Sequence, residues 1–192
     1  MTTRCSWANM ANPRYIAYHD NEWGVACHDE NTLFEMLNLE GAQAGLSWET
    51  ILNKRDTYRA AFDGWDANRI AAYDDVKVAE LLANPGIVRN RLKVAAAITN
   101  ARAYLAMREG GLTLDNYLWA FVDGQPLVND WPDNARPAKT ELSDRISKDL
   151  RKRGFKFVGS TIVYAYMQGI GMVDDHAADC ICRTRRAAQQ RS

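Results

Sequence analysis

All seven cysteines and histidines of this chain lie in two short stretches at opposite ends. Cys5, His19, Cys27 and His28 fall within the first 28 residues, and His176, Cys180 and Cys182 fall between positions 176 and 182. The 147 residues from 29 to 175 contain neither type. Thiolate and imidazole are the preferred zinc ligands, so this distribution suggests one metal clamping the two termini together. His176 and Cys180 are four residues apart, a spacing that puts both on one face of a helical turn. Cys5 and His19 are the expected ligands from the N-terminal half. The competing reading is a set of reduced buried thiols and ordinary histidines, since no CxxC pair is present.

The chain does not need a metal merely to hold a small core together. A chain of 192 residues buries about 70% of its unfolded surface and suits one domain or two tightly fused lobes. No apolar run of signal-peptide length opens it and no 18-residue apolar stretch occurs, so a soluble cytoplasmic protein with reduced thiols is expected. Formal net charge is zero, with 24 basic and 24 acidic residues, which says nothing about a polyanionic partner. The distribution is uneven, however. Residues 20–83 carry 13 acids and 5 bases; 85–108 carry 5 bases and no acid; 145–192 carry 10 bases and 4 acids. Two basic segments on a neutral protein suit either a DNA-facing surface or solvated helix faces paired to acids elsewhere.

Apolar periodicity is helical nearly throughout, and the expected fold class is all-α. Leu33, Phe34, Leu37 and Leu39 follow a cap at Asp29 or Asn31. Ser47 starts a helix carrying Ile51, Tyr58 and Phe62, and Asp66 and Asp74 cap two short helices. Asn84-Pro85-Gly86 is a sharp turn. One long helix is expected from Ile87 to Arg108, ended by Gly110-Gly111. A helix near 114–122, a loop over 123–140 and helices at about 141–153 and 159–170 complete the pattern. No strand is expected, and the basic tail 183–192 reads as disordered.

Three groups could carry chemistry. Trp7, Tyr15, Tyr18, Trp23 and Trp48 accompany Glu40, which follows an apolar helical stretch. Aromatic faces with one carboxylate suit a flat cationic ring, through stacking, cation–π attraction and a charge-assisted hydrogen bond. The alternative is an aromatic core with a surface glutamate. The second group is the Pro85-Gly86 turn followed by Arg89 and Arg91, where backbone N–H groups and arginines could bind phosphate. This resembles the helix-hairpin-helix element of DNA repair proteins, although Val88 stands where a second glycine is usual. The third, Arg151-Lys152-Arg153-Gly154, reads mainly as a helix C-terminus.

Together these pieces resemble the type I 3-methyladenine DNA glycosylases of bacteria. The likeness is carried by Arg4-Cys5-x-Trp7, by residues 15–24 (Tyr-Ile-Ala-Tyr-His-Asp-Asn-Glu-Trp-Gly) and by Leu39-Glu40-Gly41-x-Gln43-Ala44-Gly45-Leu46-Ser47-Trp48. It continues through Asn100-Ala101-Arg102-Ala103-Tyr104-Leu105, residues 152–159 and Asp175-His176, in register from about residue 4 to 182. The resemblance implies a helix-hairpin-helix glycosylase fold, a single domain of two helical lobes over 1–182, with structural Zn2+ held by Cys5, His19, His176 and Cys180. It implies a base pocket of Tyr18, Glu40 and Trp48, with Trp7, Tyr15, Trp23 and Gln43 near it and Glu40 catalytic. Gly86, Arg89 and Arg91 would meet DNA. The implied reaction is hydrolysis of the N-glycosidic bond of 3-methyladenine in double-stranded alkylated DNA, with free base as product. The implied protein is a bacterial, cytoplasmic monomer that touches no membrane. No hairpin lysine invites lyase chemistry, because Arg91 and Lys93 lie within a helix, so a monofunctional enzyme is expected. Asp115 reads as a helix start rather than a catalytic aspartate. Cys27, His28 and Cys182 are surplus to a four-ligand site.

Overall fold

The computed structural model describes residues 3–132 and 135–183. Among the described residues, ten α-helices run α1 (Pro13–Asn21), α2 (Glu30–Gln43), α3 (Trp48–Asn53), α4 (Arg55–Ala61), α5 (Ala67–Ala71), α6 (Asp75–Ala83), α7 (Arg91–Glu109), α8 (Leu114–Trp119), α9 (Glu141–Lys152) and α10 (Ser160–Gly169). Short 3-10 turns follow α4 and α8. None of these helices is long and apolar enough to cross a membrane.

Most helix starts follow from capping chemistry. Side chains of Asp29, Ser47, Asp66, Asp74 and Thr113 each accept a hydrogen bond from a first-turn N–H. Thr140 and Ser143 form a reciprocal capping box on α9. Three starts differ from expectation. Helix α1, opened by Asn12 with Pro13 in the first turn, had no apolar stripe to announce it. The helix from Ser47 breaks at Lys54 into α3 and α4. Helix α7 begins at Arg91 rather than Ile87, because Asn90 caps Lys93 N and Ile87 turns into the core, 2% exposed. The 123–140 segment also holds a strand that the sequence pattern does not show. Leu127–Val128 (β1) pairs in parallel with Val173–Asp174 (β2). Two residues are too few to display alternation.

Helix α2 is the centre of the molecule, packed by α3, α7, α8 and α10. Every residue from Leu33 to Ala42 is buried, which is how a helix surrounded on all sides looks. It therefore carries three polar side chains into the core: Glu35, Asn38 and Glu40. Buried polar groups need partners. Glu35 accepts from Arg55 Nε at 2.5 Å and from Arg59 Nε at 2.8 Å. Asn38 accepts from Asn100 Nδ2 at 3.0 Å and donates to Phe34 O at 2.9 Å. Glu40 has no such partner.

The ends of the chain meet beside α10. Gly24 N donates to Gln168 O at 2.8 Å and Cys27 N to Ile170 O at 2.9 Å. Gly171 (φ +70°) permits this approach, since a Cβ there would lie 2.0 Å from Val25 C. Ile181 N reaches Thr3 O at 2.9 Å. Arg183, the one described residue of the expected tail, donates to Asn129 O and His176 O. Residues 184–192 lie outside the described residues.

Candidate active site and metal centre

Five of the seven cysteines and histidines gather at one buried site, while Cys27 and the exposed His28 stay outside it. His19, His176, Cys180 and Cys182 offer ligand atoms that all lie within 4.8 Å of one another. Cys5 borders the same space. Its N–H is 3.4 Å from His19 Nε2 and its Sγ accepts from Ala177 N at 3.4 Å. Cys182, surplus in the sequence reading, thus enters the group alongside three of the four expected ligands.

The donor set fits a metal in three respects. Both imidazoles are oriented through Nδ1, His19 by Asp20 at 2.8 Å and His176 by Asp174 at 2.7 Å. That is the carboxylate support typical of ligating histidines, and it leaves Nε2 for a metal. Cys180 Sγ lies 3.6 Å from His19 Nε2, and tetrahedral zinc with its usual bond lengths separates S and N by roughly 3.6 Å. Burial also disfavours the charges that the bare ligands would carry. It pushes the Cys5 thiol up to about 11, a cost a bound cation offsets, and lowers His19, which keeps the imidazole in the neutral form that ligates. The buried group could therefore hold a metal ion.

One turn of α1 joins this cluster to a cleft of about 360 Å³, within the usual range for small-molecule pockets. All seven expected base-pocket residues line it: Trp7, Tyr15, Tyr18, Trp23, Glu40, Gln43 and Trp48. His19 faces the cysteine and histidine cluster, and its neighbour Tyr18 tilts against Trp48 at a centroid distance of 5.3 Å. Trp7 meets Tyr15 edge-on at 5.6 Å and Trp23 at 4.7 Å. Trp23 in turn packs on His176 at 4.6 Å. The clamp thus supports the aromatic wall directly.

Glu40 is 4% exposed, and among the described residues nothing hydrogen-bonds its carboxyl. Burial alone pushes it up to about 8. Burial also raises the Tyr18 hydroxyl well above its ordinary range, with the Glu40 charge adding to the effect. The indole N–H groups of Trp7 and Trp48 are buried without a partner. A cleft that keeps one carboxyl and two N–H donors unsatisfied is poised for a polar, flat ligand.

Four lining residues escaped the sequence reading: Arg136, Pro137, Ala165 and Gln168. Ala165 and Gln168 share a face of α10 at i, i+3, but only the packing of α10 on α2 shows which face. Arg136 comes from the 123–140 segment, sits 5.8 Å over the Trp23 ring and donates to Asp175 O.

The hairpin runs α6–Pro85-Gly86–α7. Arg89 and Arg91 are exposed and form no ion pair among the described residues. Gly86 N–H is taken by Asn84 Oδ1 at 2.8 Å. A Cβ on Gly86 would lie 2.9 Å from Thr57 Cβ, so this glycine lets the turn seat on α4. Lys93 Nζ caps the end of α2, donating to Ala42 O and Ala44 O at 2.7 Å. That bond ties the hairpin to the helix end that carries Glu40 and Gln43. Asp115 does open a helix, with its carboxylate 2.6 Å from His28 Nδ1, and it is outside the cleft. Gly154 (φ +95°) follows α9, as its basic C-terminal turn suggests.

Residues 7–184 match the family described as methyladenine glycosylase. The chain belongs to this family. It is 48% identical over 185 residues to the DNA-3-methyladenine glycosylase of Haemophilus influenzae, covering 96% of this chain and 100% of the relative. It is 49% identical over 180 residues to DNA-3-methyladenine glycosylase 1 of Escherichia coli, covering 93% and 96%. A crystal structure of a 3-methyladenine DNA glycosylase I superimposes with TM-score 0.90 at 52% identity, over 94% of this chain and 99% of that one. A Staphylococcus aureus structure described as showing 3-methyladenine recognition gives TM-score 0.90 at 32% identity, covering 94% and 96%. The fold is the all-α glycosylase fold of these neighbours.

Proposed function

We propose that this enzyme releases 3-methyladenine from alkylated double-stranded DNA, with Glu40 as the group that selects and stabilises the damaged base. The observation that carries this reading is a buried, unpartnered carboxyl set among aromatic faces. Methylation at N3 makes the base cationic. A cation entering beside Glu40 favours its ionised form, whereas neutral adenine leaves the buried carboxyl protonated and gains no charge pairing. The flipped base stacks on Tyr18 and Trp48, with Trp7, Tyr15, Trp23 and Gln43 completing the walls. Extrusion costs a few kcal/mol, least for a damaged base.

Cleavage of the C1′–N9 bond passes its electron pair to the purine, which leaves neutral, while positive charge moves to the sugar. Water adds at C1′, loses a proton and leaves an abasic site. The total charge opposite Glu40 is conserved through the step, so the carboxylate stabilises base and sugar in turn. A cationic leaving group already weakens the bond, and a monofunctional hydrolase needs no amine nucleophile. Both Lys93 Nζ, at the end of α2, and Lys54 Nζ, on Pro85 O of the hairpin turn, are occupied.

The helix-hairpin-helix element of α6 and α7 would dock the DNA backbone, with Arg89 and Arg91 near phosphates and Gly86 shaping the turn. Zn2+ would be held by Cys5, His19, His176 and Cys180, and would supply cross-linking of the two termini rather than chemistry. The Nε2-facing side of His19 supports Cys5 over Cys182, whose Sγ lies on the Nδ1 side, 3.7 Å from Asp20 Oδ1. A single-domain cytoplasmic monomer suits this arrangement.

The test is incubation with methylated duplex DNA and chromatography of released bases. Free 3-methyladenine should appear with the native protein and be strongly reduced with Glu40→Gln. No release above background by the native protein would overturn the reading.

A further inference from the structure

The cleft distinguishes charge and flatness through residues already described, and a further hydrogen-bond acceptor on its wall would discriminate at position 6 of the base. Gln168, in the last turn of α10, has the geometry to do so. Its main chain is pinned, because Gln168 O accepts from Gly24 N at 2.8 Å. Its side-chain amide is pinned as well, with Nε2 donating to Asp175 Oδ2 at 2.7 Å. Asp175 also receives the Tyr164 hydroxyl and Asn129 Nδ2. A carboxylate surrounded by donors accepts and does not donate, so only the NH2 end of Gln168 can face it. The amide cannot flip without losing that bond. Its oxygen is left as the open function: Oε1 has no hydrogen bond among the described residues, and Gln168 is only partly buried at the cleft wall.

The neighbouring residue places the end of α10 against the selecting carboxyl. A Cβ on Gly169 would fall 3.4 Å from Glu40 Oε1 and 3.1 Å from the Tyr18 hydroxyl oxygen. The end of α10 therefore abuts the Glu40–Tyr18 wall. Gln168 enters the cleft beside it, with Ala165 one turn earlier contributing only a methyl group.

We propose that Gln168 is a specificity-determining residue that accepts a hydrogen bond from the exocyclic 6-amine of the damaged base and disfavours purines with a 6-oxo group. The proposal rests on the reading that 3-methyladenine occupies this cleft. A 6-amine carries two N–H donors, enough for Gln168 Oε1 and Glu40 together. A 6-carbonyl would set oxygen against oxygen and leave a locked acceptor unpaired. Sites built to hydrogen-bond a group reject analogues lacking it far more strongly than apolar pockets reject size differences. Asp175 is the positioning residue in this scheme: its carboxylate sets the direction of the amide.

The experiment compares free 3-methyladenine with free 3-methylhypoxanthine, which carries a carbonyl at position 6, by calorimetric titration of the full-length protein. The native protein should prefer 3-methyladenine by about tenfold or more. In Gln168→Leu the affinity for 3-methyladenine should fall about tenfold, and the preference should collapse to within about twofold. Gln168→Met, which keeps the length and flexibility of the side chain, serves as the second variant and should collapse the preference likewise. A folded variant in which both affinities fall in parallel and the ratio persists would show a structural role only and overturn the proposal. A native protein that binds 3-methyladenine without preferring it would do the same. A native protein that binds neither base would remove the occupant of the cleft itself, a distinct failure that takes this inference with it.

Discussion

Replacing Glu40 by glutamine should stabilise the protein while disabling it, and the stabilisation should depend on pH in a calculable way. The carboxyl is buried and unpartnered, and its folded-state value is about 8 against an ordinary 4.5. Between those two values the native state holds a proton that the unfolded chain releases, so native stability falls as pH rises through that window. Linkage over this interval gives a cost of about 1 kcal/mol at pH 5 and about 3 kcal/mol at pH 7. Glutamine does not titrate, so the variant escapes the cost. Its amide brings unsatisfied donors of its own, but that penalty is the same at both pH values and cancels in the comparison. The stability difference between variant and native protein should therefore grow by about 2 kcal/mol from pH 5 to pH 7. For a chain of this size that is a relative gain of about 4–8 °C in Tm. Thermal unfolding of both proteins at the two pH values, without DNA, measures it. A difference that does not change with pH would mean that Glu40 is solvated or paired in solution, and the selecting carboxyl would lose its physical basis.

Removing the clamp has a graded outcome. Elemental analysis should give roughly one equivalent of zinc for the native protein and none for Cys180→Ala, which should also unfold at lower temperature. Cys182→Ala should keep its metal, and loss of zinc there would move the fourth ligand from Cys5 to Cys182. Arg89→Ala and Arg91→Ala should each weaken binding to undamaged duplex and lower the salt slope of log K by about one. Binding titrations across a salt series would detect this, and an unchanged slope would take that residue off the phosphate backbone. Arg55→Ala strips Glu35 and Glu22 of a shared partner, leaving Glu35 in the core with Arg59 alone. It should destabilise by about 3–5 kcal/mol in urea unfolding, and a loss under about 1 kcal/mol would show that Arg59 alone satisfies the site.

Local chemistry is legible in this sequence wherever the deciding partner is within a few residues. Asp29, Ser47, Asp66 and Asp74 start helices because a cap and its N–H recipients are adjacent in the chain, and the expected boundaries follow. Asn90 satisfies the same rule and overrides the apolar run that begins at Ile87, so α7 starts four residues later than periodicity alone suggests. The cysteine and histidine clusters are legible for another reason: their chemistry has few uses, and their segregation to the two ends implies that the ends meet.

What sequence does not show is the consequence of that meeting. Glu40 looks like any glutamate near a helix end until α10 covers α2 and denies its carboxyl both water and a partner. Gln168 looks like a surface amide on a mostly apolar helix. It becomes informative only because Asp175, seven residues on and beside His176, takes its NH2 and leaves its oxygen without a hydrogen bond among the described residues. A metal held by His176 would fix that residue and, with it, the turn that carries Asp175. Metal, amide direction and base recognition would then be linked through the peptide bond from His176 to Asp175 and the hydrogen bond from Gln168 to Asp175. A protein stripped of zinc should for this reason lose the preference for a 6-amine before it loses affinity for methylated purines in general. Titrating the two free bases against the metal-free protein, under conditions where it remains folded, would expose that order, and a preference that survives removal of the metal would break the link.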